Sequence, residues 1–441
     1  MAGKVYISFL GTSNYVEFVY KIDGKESLPT RFIQEALAEK YCKDWGEGDA
    51  ILIFATATAK KRNWQDNGHR GETNPLYNQG LDSRLKTLNL NPSLRVECIK
   101  IDEVEDESDI WNLFATVNKE IKDNHYSKIY FDITHAFRYI PMFAMALFNY
   151  SQFVNGTEVV KVKYAKLDGM DNPSEIRETP LKDREIQTVL DLTSLVRLQE
   201  YTQIASDLKN YGKAKELAGE IIENEDIKNV NVEKQFTDAI RRLDEYISTI
   251  QITKIKEGKF ITAFKNSAKN AKKNLSKPVL ELVEMFEEKI KYFCAYATWN
   301  NVEAAINWAK TYDMLIQAYA LAEEYIIMRV AEHFADEYSY VKDPDNRDKH
   351  FFRKYIGSVL AMPDKARINK EYGRETGYYP NETDEILSQQ WILNLRIPYD
   401  NLRQKRNSLA HGNGSFDYKE LEEEFESSYL LCKQILDESC S

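Results

Sequence analysis

The chain has 441 residues, 43% of them hydrophobic and 29% charged, with a formal net charge of −11. That length predicts two or three folded domains. The acidity argues against general adhesion to DNA or to anionic membrane, because such binding depends on cationic neutralisation of phosphates, and it leaves room only for a small local basic site.

The first 170 residues alternate strand-like and helix-like stretches. "KVYISFL" (4–10) is predicted as a buried strand, too short to be a signal peptide. An amphipathic helix over 30–45 and a second buried strand, "AILIFAT" (50–56), follow. After a polar loop come a helix from Leu81, a strand over 95–101, a helix over 108–123 and a strand, "KIYFDIT", over 128–134. A helix containing "YIPMFAMALFNYSQF" and a strand over 159–167 close the series. Continuous β-branched runs between helices predict a mainly parallel sheet covered on both faces, a Rossmann-like α/β architecture with ligands at the carboxyl ends of the strands. From about residue 185 the strands are expected to disappear. Residues 211–223, 275–293 and 301–338 carry helical apolar spacing. Residues 339–384 read as a polar excursion, and helices over 385–410 and 418–436 end the chain, with Gly412 and Gly414 as stops and Asp417 as a cap. The expected division is 1–180 α/β, 181–275 helical linker and 276–441 all-α. No apolar stretch approaches the roughly 20 residues of a membrane helix. Cys42, Cys98, Cys294, Cys432 and Cys440 contain no C-x-x-C pair, so neither zinc nor a disulfide framework is indicated, and a reducing cytoplasm is the expected location.

Three predicted strands end in small or polar residues: Gly11-Thr12-Ser13-Asn14, Thr56-Ala57-Thr58-Ala59-Lys60, and Asp132-Ile133-Thr134-His135. Such loops let backbone N–H groups approach phosphate, and Lys60, Lys61, Arg62 and Arg138 add charge nearby. Taken singly, each reads first as an ordinary strand-to-helix turn, and it is the three together that point to a ligand. Trp64, His69 and Tyr77 are candidates to cover a bound base, or belong to a surface loop. Neither G-x-G-x-x-G nor G-x-x-x-x-G-K-[ST] occurs, which disfavours a dehydrogenase or a P-loop ATPase. "FLGTSNY" together with "DITHAFRYIP" resembles the CARF domain of CRISPR-associated proteins from type III systems. That resemblance implies a dimer binding a cyclic oligoadenylate through Gly11, Thr12, Ser13, Asn14, Thr134, His135 and Arg138, with Asp132 orienting its loop. Thr58 and Lys60 are added from their location alone.

Near the carboxyl end, "RNSLAHG" places Arg406 five positions before His411. Five helical steps turn about 140°, so the two converge only if the helix loosens or the arginine reaches around. Otherwise His411 merely favours the helix end. The pattern Arg406-Asn407 to His411 in the penultimate helix resembles the HEPN ribonuclease motif, and CARF followed by HEPN is the arrangement of CRISPR-associated ancillary ribonucleases. The resemblance implies a homodimeric endoribonuclease for single-stranded RNA in antiviral defence. No metal and no cofactor are expected, and the activator is a cyclic oligoadenylate, with cyclic tetra-adenylate slightly favoured. Arg406, Asn407 and His411 are the expected catalytic residues. Arg396, Arg403, Lys405 and Arg406 against Asp400 form a local strip of net charge +3. The resemblance leaves open whether the CARF site degrades its activator. Two rivals stand beside it: a nucleotide-sensing regulator with an inert HEPN domain, and a small-molecule enzyme using the α/β half alone.

Overall fold

The computed structural model describes residues 3–69, 78–135, 140–167, 173–223, 230–335, 346–362, 380–412 and 414–440. It divides into two compact units, Met1–Glu200 and Tyr201–Ser441.

The first unit is built on one eight-stranded sheet. Its strands are β1 (Gly3–Leu10), β2 (Tyr20–Ile22), β3 (Lys25–Glu26), β4 (Ala50–Ala55), β5 (Arg95–Lys100), β6 (Tyr126–Asp132), β7 (Glu158–Ala165) and β8 (Gln187–Asp191). Their spatial order is β3-β2-β8-β7-β6-β1-β4-β5. The five strands β7-β6-β1-β4-β5 run parallel. Every residue of β4 is buried, which is why its sequence is an unbroken apolar run rather than an alternating one. Alternate residues of β1 feed two separate cores. Tyr6 and Leu10 join one with the helix Ile33–Tyr41, while Val5, Ile7 and Phe9 join the other with the helices Glu107–Asp123 and Ile140–Asn155. The Rossmann-like, mainly parallel sheet expected from the sequence is therefore present.

The chain departs from expectation at the sheet margin. Strands do not end before residue 185: β8 pairs antiparallel with β7 and parallel with β2, which also pairs with β3. β2 and β3 span three and two residues, too few to show a period. Lys163 of β7, 1% exposed, pins this margin by reaching Asp23 at 2.6 Å and Asp191 at 3.0 Å.

Among its described residues the second unit has only helices as regular elements, with one continuous core running from Tyr201 to Leu436. The apolar stretch expected over 301–338 is two helices, Trp299–Thr311 and Leu315–Ala335. They are parted where Asp313 takes φ +56°. Within the expected polar excursion lie the helix Asn346–Ala361 and the start of Pro380–Ser388, while residues 336–345 and 363–379 fall outside the described residues. Gly412 ends the helix Gln390–His411 with φ +65°, and Asp417 caps Tyr418–Ser439 by accepting from the Lys419 and Glu420 amides, both as expected. Among the described residues no helix is long and apolar enough to cross a membrane.

Candidate functional site

The strand order reverses at β1. The chain builds outward from it through β4 and β5 on one side and through β6 and β7 on the other. Such a switch point opens a crevice beyond the carboxyl ends of the central strands. The loops after β1, β4 and β6 are the three polar strand ends singled out above, and their contacts join them.

Asn63 holds the first of these loops. Its Nδ2 donates to the carbonyls of Gly11 (2.8 Å) and Ser13 (2.9 Å), and its Oδ1 faces His69 Nε2 at 3.2 Å. Arg62 adds a bond to the Thr12 carbonyl at 3.2 Å, and Arg177 one to the Asn14 carbonyl at 2.5 Å. Asn63 and His69 are buried, as is Trp64. Trp64 and His69 are therefore part of the scaffold rather than a cover over the crevice: the π-type turn Lys60–Trp64 buries Trp64, and Asn63 of that turn contacts His69. Tyr77 lies outside the described residues.

The Tyr15 hydroxyl accepts from the Gly11 amide at 2.7 Å, and its ring stacks on His135 with centroids 3.8 Å apart. A Cβ on Gly11 would come within 3.0 Å of that hydroxyl and 3.3 Å of the His135 carbonyl, so the close approach calls for glycine. Asp132 is buried and accepts from Ser8 Oγ (2.8 Å), the Thr134 amide (3.0 Å) and Thr134 Oγ1 (2.6 Å). Burial raises its carboxyl above the usual range. The Thr134 hydroxyl also accepts from the Ala165 amide at 2.9 Å, so this side chain is committed to fixing the loop. Burial lowers the His135 imidazole to about 3. Among the described residues its Nε2 has no hydrogen-bond partner, an expensive state for a buried ring nitrogen. Thr12 and Asn14 are half-buried and Ser13 is exposed. Thr58 is exposed on the turn that Thr56 caps, and Lys60 is half-buried at the next turn. Arg138 lies outside the described residues.

The second candidate constellation sits on the helix Gln390–His411. Arg406 is gripped side-on by buried Glu323, whose oxygens accept from Nε at 2.7 Å and Nη2 at 2.8 Å. Nη1 carries no hydrogen bond to the described residues, which leaves the end-on edge of the guanidinium open. Arg406 and Asn407 line a cleft of 640 Å³ together with Glu324, Arg353, Tyr399 and Arg403. His411 is exposed and does not line it. The helix keeps its form to His411, so the loosening that would have swung the imidazole towards Arg406 does not occur. Asn407, one turn before His411, lies between the two groups.

The expected cationic strip needs correction. Arg403 pairs with Asp400 (2.7 Å), Lys405 with Glu424 (2.6 Å) and Arg406 with Glu323 (2.7 Å), while Arg396 donates to the Leu360 and Met362 carbonyls. Two of these carboxylates come from other helices, beyond the reach of a charge count along one segment. Among the described residues no group of three or more His, Cys, Asp or Glu side chains could hold a metal ion.

The family model described as "CRISPR system endoribonuclease Csx1, CARF domain" matches residues 5–168. Over 263 residues the chain is 25% identical to CRISPR-associated protein MJ1674 of Methanocaldococcus jannaschii, an alignment covering 58% of this chain but only 38% of that curated relative. Among solved structures, Enterococcus italicus Csm6 bound to cyclic hexa-2′-fluoro-hexa-dAMP gives a TM-score of 0.45 at 11% identity, covering 99% of this chain and 94% of that one.

Proposed function

From the premise that the amino-terminal unit carries a CARF domain of the Csx1 family, we propose that the chain is an RNA endonuclease governed by a cyclic oligoadenylate. The switch-point crevice takes the activator. His135 Nε2, buried and unpartnered among the described residues, is a neutral acceptor or donor awaiting an adenine or ribose group. The loop carbonyls of Gly11 to Asn14 are tied back by Arg62, Asn63 and Arg177, which fixes the loop facing that crevice. Arg138, Thr58 and Lys60 stay in this reading as further ligand contacts.

The helical unit then acts as a HEPN-type ribonuclease. The carrying observation is the array on one helix: Arg406 with an open guanidinium edge, Asn407 beside it in the cleft, and His411 exposed one turn on. The RNA 2′-hydroxyl attacks the adjacent phosphorus, the P–O5′ bond breaks, and a 2′,3′-cyclic phosphate and a 5′-hydroxyl result. His411 moves the proton, since histidine ionises near neutrality. Arg406 stabilises the extra charge on the phosphorane, and Asn407 orients phosphate or imidazole. Neither step needs a metal.

A single imidazole is sparse equipment, and the helix suggests where a second comes from. Leu393 and His411 are eighteen residues apart, a whole number of turns at about 100° per residue, and Ile397 and Gln404 lie close to the same line. Ile397 is 72% exposed and Leu393 40%. A two-fold contact along this face would bring two copies of His411 together.

The test is a fluorogenic single-stranded RNA assay with cyclic tri-, tetra- and hexa-adenylate, with and without EDTA. One ring size, expected to be the tetra-adenylate, should stimulate cleavage strongly, EDTA should spare it, and Arg406→Ala or His411→Ala should abolish it. Cleavage surviving in folded His411→Ala protein would overturn the assignment. The internal pairing of the cationic strip favours the rival reading, a sensor with an inert helical unit. Activator binding without cleavage of any RNA would establish that rival.

A further inference from the structure

Away from both constellations, the helical unit holds a cavity of 410 Å³ between the turn Ile290–Tyr292 and the helix Trp299–Thr311. Its size falls within the roughly 300–1,000 Å³ of small-molecule sites. Aromatic rings and ammonium groups make its walls. Trp308 and Tyr312 lie with ring centroids 5.0 Å apart, and Tyr292 stands 70% exposed at the edge. Lys289 Nζ donates to the Tyr312 hydroxyl, and Lys291 Nζ lies 5.1 Å from the Tyr292 centroid. Trp308 and Tyr312 are buried, but the open Tyr292 ring with Lys291 beside it suits a nucleobase with its phosphate, since any base offers a π-face and every phosphate a charge. The Lys291 pairing with Glu288 is exposed on both sides, so a phosphate can displace it at little cost.

A second observation extends the site. Gly212, at φ +64°, presses its backbone onto the same rings. A Cβ there would lie 2.3 Å from Tyr312 and 2.7 Å from Trp308 Nε1. The next residue, Lys213, lines a separate cleft of 620 Å³ with Lys215, Arg241 and Arg242. Three carboxylates share this lining: Asp238 pairs with Arg241 at 2.6 Å, Asp244 accepts from the Ala214 and Lys215 amides, and Glu245 completes the set. Arg242 is exposed and has no ion pair among the described residues. The aromatic seat and this cleft, whose lining carries four cations against three carboxylates, thus adjoin across the turn at Gly212, in a protein whose net charge is −11.

We propose that these two cavities form a track for single-stranded RNA, with one base stacked on Tyr292 and the neighbouring phosphates running past Lys213 towards Arg242. The choice of RNA rests on the ribonuclease reading, whereas the preference for a flexible, unpaired strand rests on the aromatic seat. The test uses full-length His411→Ala protein, which binds without cutting, and the fluorescence anisotropy of short labelled oligo-A and oligo-U. Tyr292→Ala and Arg242→Glu, both at exposed positions, should each weaken RNA binding about tenfold. Arg242→Glu should also flatten the salt dependence, and binding of labelled cyclic tetra-adenylate should be unaffected. Unchanged RNA affinity in both variants overturns the track. A parallel loss of cyclic tetra-adenylate binding overturns it too, by assigning the seat to the activator. Cleavage is scored separately in protein retaining His411. RNA binding that depends on Tyr292 without any cleavage would sink the ribonuclease reading and leave the track standing.

Discussion

Two side chains show how much of each site rests on partners distant in sequence. Glu323 lies 83 residues before Arg406, and Asn63 lies 52 beyond Gly11. Motif reading along the chain could find Arg406 and Gly11 but not the groups that orient them, because no local spacing links the two. Glu323→Gln keeps the shape and removes the charge. The variant should lose about 1–3 kcal/mol of stability, between the values for exposed and buried pairs, since Arg406 is part-exposed. Cleavage should fall about tenfold as the guanidinium loses its fixed orientation, while activator affinity stays the same. Denaturant titration and the RNA assay read the two effects, and full activity would show that Glu323 does not position Arg406. His135 makes a pH prediction. Unfolded, its imidazole takes a proton near the ordinary 6.5, but in the fold only near about 3. As pH falls through that window the unfolded chain binds the proton first, so the stability His135 contributes is whole above 6.5 and drains away towards 3. The buried Asp132 carboxyl, raised above its ordinary 3.8, works in the opposite direction, favouring the folded state as it protonates. Urea midpoints measured down that range should therefore drop more steeply for the unmodified chain than for His135→Gln, and equal slopes would refute the buried-imidazole argument.

Among the elements, those buried on two faces were the legible ones. β1 and β4 announce themselves as apolar runs because both faces meet helices, and each lies within one residue of its expected bounds. The elements missed are those whose form is imposed from outside. β8 has five residues and leans on β7 and β2. The break at Asp313 depends on a left-handed residue inside an otherwise helical apolar pattern, and periodicity does not register one residue of that kind. The helix Asn346–Ala361 was concealed by its charged composition, although Tyr355, Ile356, Val359 and Leu360 are buried. At the helix bearing Arg406 and His411 the stop signal was legible, and it carries a prediction. Gly412 sits at φ +65° with open space around its Cβ position, so Gly412→Ala meets conformational strain alone, about 1 kcal/mol. The melting temperature should fall by a few degrees at most. RNA cleavage should fall further than that loss explains, because the strained turn directly follows His411. Cleavage unchanged at a temperature where both proteins are folded would show that the helix end does not control the imidazole.

Taken whole, the molecule has separate cores for its two units, so under the proposed function an activator at the switch point and RNA in the helical unit would be two ligands of one chain. Control of one by the other requires that the activator bind the cleaving arrangement more tightly than the idle one. Equilibrium linkage then fixes a reciprocal effect: whatever factor the activator adds to RNA affinity, RNA must add to activator affinity. The consequence is measurable without any turnover. With 2′-O-methyl RNA, which lacks the attacking hydroxyl, activator affinity should rise by roughly 5- to 150-fold, the usual span of such coupling. RNA affinity should rise by the same factor when activator is saturating. Ile397→Asp, which puts charge on the exposed face bearing His411, should leave activator affinity without RNA intact and shrink both factors together if that face pairs two subunits. Factors of one in both directions, in protein that binds each ligand, would mean that the sensor and the helical unit do not communicate through equilibrium binding. The charge pairing that occupies Arg403, Lys405 and Arg406 would then be the resting chemistry of an inert domain rather than of an idle one.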